Sequence, residues 1–147
     1  MNAQTADKLA VTELLYRYAE LIDAGDFPGV GRLLGRGRFM GVAGAEDIAG
    51  LFTATTRRFP DHGYTPRTRH LVLNPIVDVD GDAAEARSTF CVVQATDTVP
   101  LQPIVVGRYR DTFARDRDGW YFTDRHVDIE MLGDVSDHLL IDPRRFG

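Results

Sequence analysis

The chain has 147 residues, 44% hydrophobic and 27% charged, with 22 acidic side chains against 17 basic ones and a formal net charge of -5. That length supports one domain with a real core, residues 1–147, and the composition is globular rather than disordered or fibrous. The basic residues form no stripe that would neutralise phosphates, which argues against nucleic acid as a partner, and no apolar run approaches the length of a bilayer span. Cys91 is the only cysteine, so no internal disulfide forms. "MNAQTADKLAVTELL" lacks the basic start, apolar core and cleavage site of a signal peptide, and a cytoplasmic protein is expected.

Val11, Leu14, Leu15, Tyr18, Leu21 and Ile22 recur at helical spacing, which predicts a first amphipathic helix with Thr5 as N-cap and Gly25 as stop. Asp26 caps a short second helix, with Pro28 in its first turn and Val30, Leu33 and Leu34 on its apolar side. "RGRFMGV" reads as a brief strand, and a third helix is expected over residues 45–59, with Ile48, Leu51, Phe52 and Thr55 packing. From Arg67 onward the period changes to two. Four runs follow, over residues 67–79, 83–96, 104–114 and 119–131. "DVDGDA" and "RDRDGW" are tight hairpin connections, whereas "TDTVPLQP" is a longer link. Helices followed by antiparallel strands define an α+β class, with a twisted sheet folded over the N-terminal helices and a pocket between them.

"RTRHLVLNP" sets a histidine in a strand: His70, Val72 and Asn74 share one face, Leu71 and Leu73 the other. A lone histidine there either packs or moves a proton. Asp23 in "LIDAGDF" sits at the negative end of the first helix and calls for a compensating partner, unless it is simply solvated in the turn. In "WYFTDRHVDIEM", alternation puts Arg125 with Val127, Ile129 and Met131, so an arginine stands on an apolar face and needs an anion, a ligand or an outlet to water. The opposite face carries Asp124, His126, Asp128 and Glu130, but same-side neighbours on a strand are roughly 7 Å apart, too far to share one metal ion. Paired cysteines, HExxH, a phosphate-binding glycine loop and GxSxG are all absent from the sequence. The remaining constellation is a site without cofactor or metal, built from a histidine base, a carboxylate that orients it and an arginine that takes up charge.

The stretches "YRYAELIDAGDF", "TPRTRHLVLNP" and "GRYRDTFARDRDGWYFTDRHV" resemble the SnoaL-like group of the nuclear transport factor 2-like superfamily, in particular scytalone dehydratase and hexachlorocyclohexane dehydrochlorinase. The resemblance implies a cone-shaped α+β barrel: helices in the concave face of a curved antiparallel sheet, around a deep apolar cavity. It implies Asp23 and His70 as a catalytic dyad and Arg125 as a functional arginine. Tyr18 falls where the dehydrochlorinase has a lysine, and Gln94 where scytalone dehydratase has a second histidine. With Val72 on the face of His70, the expected walls are Phe90, Val92, Tyr109 and Met131. The activity so implied is a dehydratase-type elimination on a small cyclic or aromatic-precursor substrate, with isomerisation, cyclisation or plain binding as alternatives. A homo-oligomer is expected, a trimer before a dimer.

Overall fold

The computed structural model describes residues 2–142. Helix α1 spans Ala3–Asp23, α2 spans Phe27–Leu34 and α3 spans Ala45–Thr55; strands β1, Arg38–Phe39, and β2, Val42–Ala43, lie between α2 and α3. A 3-10 turn at Pro60–His62 leads into four long strands: β3 Thr68–Asp80, β4 Ala83–Gln94, β5 Gln102–Asp116 and β6 Gly119–Leu132. The sheet order is β2-β1-β6-β5-β4-β3. β3 to β6 pair antiparallel, as expected from the hairpin turns, but β1 runs parallel to β6, so the sheet is mixed rather than wholly antiparallel. Two edges, β2 and β3, remain, so the barrel is unclosed.

Val11, Leu15, Tyr18, Ala19 and Ile22 form the buried stripe of α1, at the i, i+4, i+7, i+11 spacing of a helix lying on a sheet. The N-cap is Asn2, whose side chain accepts from the Thr5 N–H at 2.8 Å, so Thr5 is the residue capped and not the cap. Gly25, at φ +73°, ends the helix as expected: a Cβ there would strike the Tyr64 carbonyl. Asp26 accepts from the Gly29 N–H at 2.9 Å and starts α2 with Pro28 in its first turn. α3 stops at Thr55, short of Phe59. Thr56 turns extended and bridges Leu139, and Phe59 bridges Thr65, so distant backbone satisfies groups that a longer helix would have paired internally.

Bulges bend the sheet and reset its alternation. In β3 the register shifts between Leu73 and Ile76, where Asn74 adopts φ +54° and Pro75 has no N–H to donate. His70 and Val72 therefore share the inner face with Val77 rather than with a continuous even-numbered series. In β6 the pairing skips Thr123 and Glu130, which keeps Phe122 and Arg125 inward but turns Met131 outward, beside Val106. Met131 is 60% exposed and is not a wall of the interior, contrary to expectation. Residues 133–140 return across the fold as a strap: Leu140 N–H donates to the Thr55 carbonyl at 2.9 Å and Arg57 N–H to the His138 carbonyl at 2.8 Å. Among the described residues no helix is long and apolar enough to cross a membrane.

Candidate active site

The last residue of α1 meets the start of β3. Asp23 accepts three hydrogen bonds: from the Thr68 hydroxyl at 2.9 Å, from the His70 backbone N–H at 2.8 Å and from His70 Nδ1 at 2.7 Å. These donors supply the compensation that a carboxylate at a helix C-terminus lacks. Both side chains are about nine-tenths buried. Because a carboxylate can only accept, Nδ1 carries the ring proton. In neutral His70 the lone pair therefore sits on Nε2, and the bond from the backbone N–H of the same residue to the other Asp23 oxygen holds the carboxylate in place against Nδ1–H. That is the local arrangement of a base held by its orienting acid.

Around the dyad the strand register brings the other expected residues together. Val92 stands opposite His70, Phe90 opposite Val72 and Gln94 opposite Thr68. Phe90 and Val92 are buried, and Phe90 stacks on Tyr109 with centroids 4.4 Å apart. Gly107 faces that stack, where a Cβ would meet the Phe90 ring at 2.8 Å. Tyr18 presents its ring edge-on to His70 at 6.4 Å and to Tyr109 at 5.8 Å. Burial pushes the Tyr18 phenol up to about 12, more than Arg125 beside it pulls it down, so it stays protonated at neutral pH. Gln94 donates from Nε2 to the carbonyls of Pro66, at 3.0 Å, and Asp137, at 3.2 Å, tying β4 to the strap. An open cleft of about 720 Å³ reaches the Asp23 side of the dyad, walled by Glu20, Asp23, Thr68, Arg69, Gln94 and Leu101; it is not the deep apolar cavity expected, and Tyr18, Phe90, Val92 and Tyr109 pack in the core instead of lining it.

Arg125 is fully buried and its Nε and Nη2 donate to the Asp111 carboxylate at 2.7 and 3.0 Å, a bidentate pair. Its guanidinium carbon lies 3.8 Å from the Tyr109 ring centre and 4.2 Å from that of Tyr18. Of its nitrogens, Nη1 has no hydrogen-bond partner among the described residues. Two of its five N–H donors are thus committed to Asp111, and the Tyr18 ring lies against both the guanidinium and His70. On the outer face of β6, His126 and Asp128 lie 2.9 Å apart and Arg110 pairs with Asp128 at 3.1 Å, an exposed ion network.

Sequence reasoning missed three members of this constellation. Asp111 was readable: Tyr109, Asp111 and Phe113 alternate on one face, opposite the face of β6 that carries Arg125. Thr68 shares alternation with His70 and likewise had a signal. His138 had none. It lies beyond the last strand, yet its buried ring comes within 6.3 Å of His70, centroid to centroid.

A helix-lined, curved, unclosed mixed sheet defines the class, the nuclear transport factor 2-like α+β fold. The family model of the SnoaL-like domain matches residues 3–126, and the chain belongs to that family. Among solved structures it is similar to an NTF2-like protein with a cystatin-like fold from Novosphingobium aromaticivorans, at 25% identity over 91% of this chain and 88% of that one, TM-score 0.69. It is also similar to Rv3472 of Mycobacterium tuberculosis, of unknown function, at 24% identity over 91% and 76%, TM-score 0.70. A candidate scytalone dehydratase from Novosphingobium aromaticivorans shares 19% identity over 89% of both chains, TM-score 0.70. No curated protein matches the chain.

Proposed function

We propose that the chain is a cofactor-independent enzyme that removes a proton from carbon, and that its reaction is a lyase-type elimination of water from a small cyclic β-hydroxy ketone. Neutral His70 takes the proton next to the carbonyl on Nε2, and the C–H electron pair moves into an enolate. Asp23 accepts from Nδ1–H throughout and stabilises the imidazolium. The enolate then expels the β-hydroxyl, which leaves as water with the proton returned from His70. Atoms and charge balance, and the base is regenerated.

The observation that carries this reading is the double grip of Asp23 on the His70 side chain and backbone, which leaves Nε2 without a protein partner among the described residues. Tyr18, Val72, Phe90, Val92 and Tyr109 back the dyad with apolar core, Gln94 braces it toward the strap, and the open cleft beside Asp23 and Thr68 is where a small aromatic-precursor ring would enter. Isomerisation and aldol-type cyclisation begin with the same abstraction, so substrate decides among them. The test is turnover of 3-hydroxy-1-tetralone, which yields 1-naphthol on loss of water. Accumulation of naphthol above the buffer rate supports the lyase reading. Exchange of the ring α-hydrogens with solvent but no naphthol would retain proton abstraction and reject dehydration.

A cytoplasmic setting and a homo-oligomer go with this reading. Leu71, Cys91, Val106 and Met131 are consecutive partners across β3 to β6 on the outer face, and Leu71 and Met131 are 41% and 60% exposed. A second copy covering that row, in a trimer before a dimer, would remove apolar surface from water. Light scattering that returns a monomer mass rejects it.

A further inference from the structure

His138 is carried by the strap and is tied down from two sides. From the end of α3, Arg57 N–H donates to its carbonyl at 2.8 Å, and Leu139 beside it bridges Thr56. From the end of β4 and the link that follows, Gln94 Nε2 donates to the Asp137 carbonyl at 3.2 Å, while the Thr96 and Thr98 hydroxyls both donate to the Asp137 carboxylate at 2.6 Å. What this anchoring fixes is one imidazole, 6% exposed, set at 63° to the His70 ring. Its Nδ1 is buried and makes no hydrogen bond among the described residues. Buried ring nitrogens are nearly always satisfied, and an orphan beside a proton-transfer pair asks for an explanation in function.

We propose that His138 is the hydrogen-bond donor that holds the substrate oxygen on which negative charge develops when His70 removes the proton, the place that sequence reasoning gave to Arg125. The inference rests on the proton-abstraction reading above. With the ring proton on Nδ1, the orphaned nitrogen is itself the donor. Such a group has to be neutral, so that it neither competes with His70 for the proton nor loses its own. Burial, reinforced by the neighbouring charge of His70, pushes His138 down to about 3. The titratable groups facing it are His70 from β3, which disfavours its protonation, and Asp23 from α1, which favours it by less. A neutral imidazole that polarises a carbonyl beside a separate base is a known division of labour. Arg125 spends two nitrogens on Asp111 and packs against Tyr18, Tyr109 and Phe122, whereas the His138 ring itself lies 6.3 Å from that of His70.

The experiment follows exchange of the α-hydrogens of 1-tetralone in deuterium oxide by proton NMR, with the full chain as wild type, His138→Phe and His138→Gln. Loss of one preorganised donor predicts that His138→Phe slows exchange about 10²-fold, mainly in kcat, and that the amide of His138→Gln recovers part of it. Fluorescence titration with 1-naphthol, whose oxygen stands where the enolate oxygen would, should weaken in His138→Phe while naphthalene binding stays unchanged. Exchange by a folded His138→Phe within about threefold of wild type overturns the proposal and leaves the dyad standing. No exchange by the wild type overturns proton abstraction, and this proposal with it. Should His138→Phe fail to fold, ring-nitrogen NMR of the wild type decides: a His138 that titrates between about pH 5 and 8 contradicts a neutral donor.

Discussion

Replacing Arg125 with methionine separates a structural arginine from one that serves substrate. The guanidinium is fully buried, bidentate to Asp111 at 2.7 and 3.0 Å, and lies against the rings of Tyr18 and Tyr109. Methionine keeps much of the stem but leaves the buried Asp111 carboxylate alone, and breaking a buried pair in this way costs about 3–5 kcal/mol. For a chain of this size that is a fall in Tm of about 10–15 °C. Burial already pushes Asp111 up while Arg125 pulls it back, so removing Arg125 lets the carboxyl rise further. A group whose folded pKa is raised contributes stability below its unfolded value that is lost as pH climbs, so the variant should be relatively more stable near pH 4 than at pH 8. Urea unfolding at both pH values, with Arg125→Met/Asp111→Leu as the second arm, is the assay. The double variant should recover most of the loss, because a matched apolar pair leaves no orphan charge. A single variant within about 1 kcal/mol of wild type that has nonetheless lost exchange activity would refute this, and return Arg125 to the substrate.

Asp23→Asn should keep the fold but lower exchange of 1-tetralone by about 10³-fold, since an amide no longer enforces Nδ1–H and the lone pair is lost from Nε2. Thr68→Val removes the hydroxyl that donates 2.9 Å to Asp23, with an expected loss of about 1.5–3 kcal/mol in urea unfolding. In His138→Gln the pH dependence of stability should flatten. With a folded value of about 3 against the ordinary imidazole value of 6.5, the unfolded chain takes up protons first as pH falls, so stability from this group is whole above pH 6.5 and drains toward pH 3. By pH 5 the wild type has lost about 2 kcal/mol to it, which the variant keeps, as urea unfolding at pH 8 and pH 5 would show. Leu71→Glu should dissolve any sheet-to-sheet assembly, which sedimentation would reveal as a smaller particle.

Local rules carried the sequence a long way because the elements here are strongly periodic. The apolar stripe of α1 and the alternation of β3 to β6 each bury one face, and that alone orders helices before sheet. Asp23 and His70 were legible as two oddities, a carboxylate at the wrong end of a helix and a histidine in a strand; that they answer each other depends on the helix crossing the sheet edge at that point. Where reading failed, a distant partner was responsible. α3 ends early because the strap pairs with Thr56, and Met131 faces outward because β6 bulges at Glu130. Alternation alone does not reveal a bulge. His138 follows the same logic: nothing in "DVSDHLL" marks a site residue, and it is distant ties, from Gln94, Thr96 and Thr98 to Asp137 and from Arg57 to the His138 carbonyl, that deliver it to His70.

The central claim is that His70 Nε2, oriented by Asp23, is the base. The measurement closest to it is the rate at which wild type and a folded His70→Asn exchange the α-hydrogens of 1-tetralone. Exchange well above buffer in the wild type, falling to the buffer rate in His70→Asn, is the result expected. Equal rates in the two proteins, with the fold intact in both, would make His70 a packing residue and contradict the account.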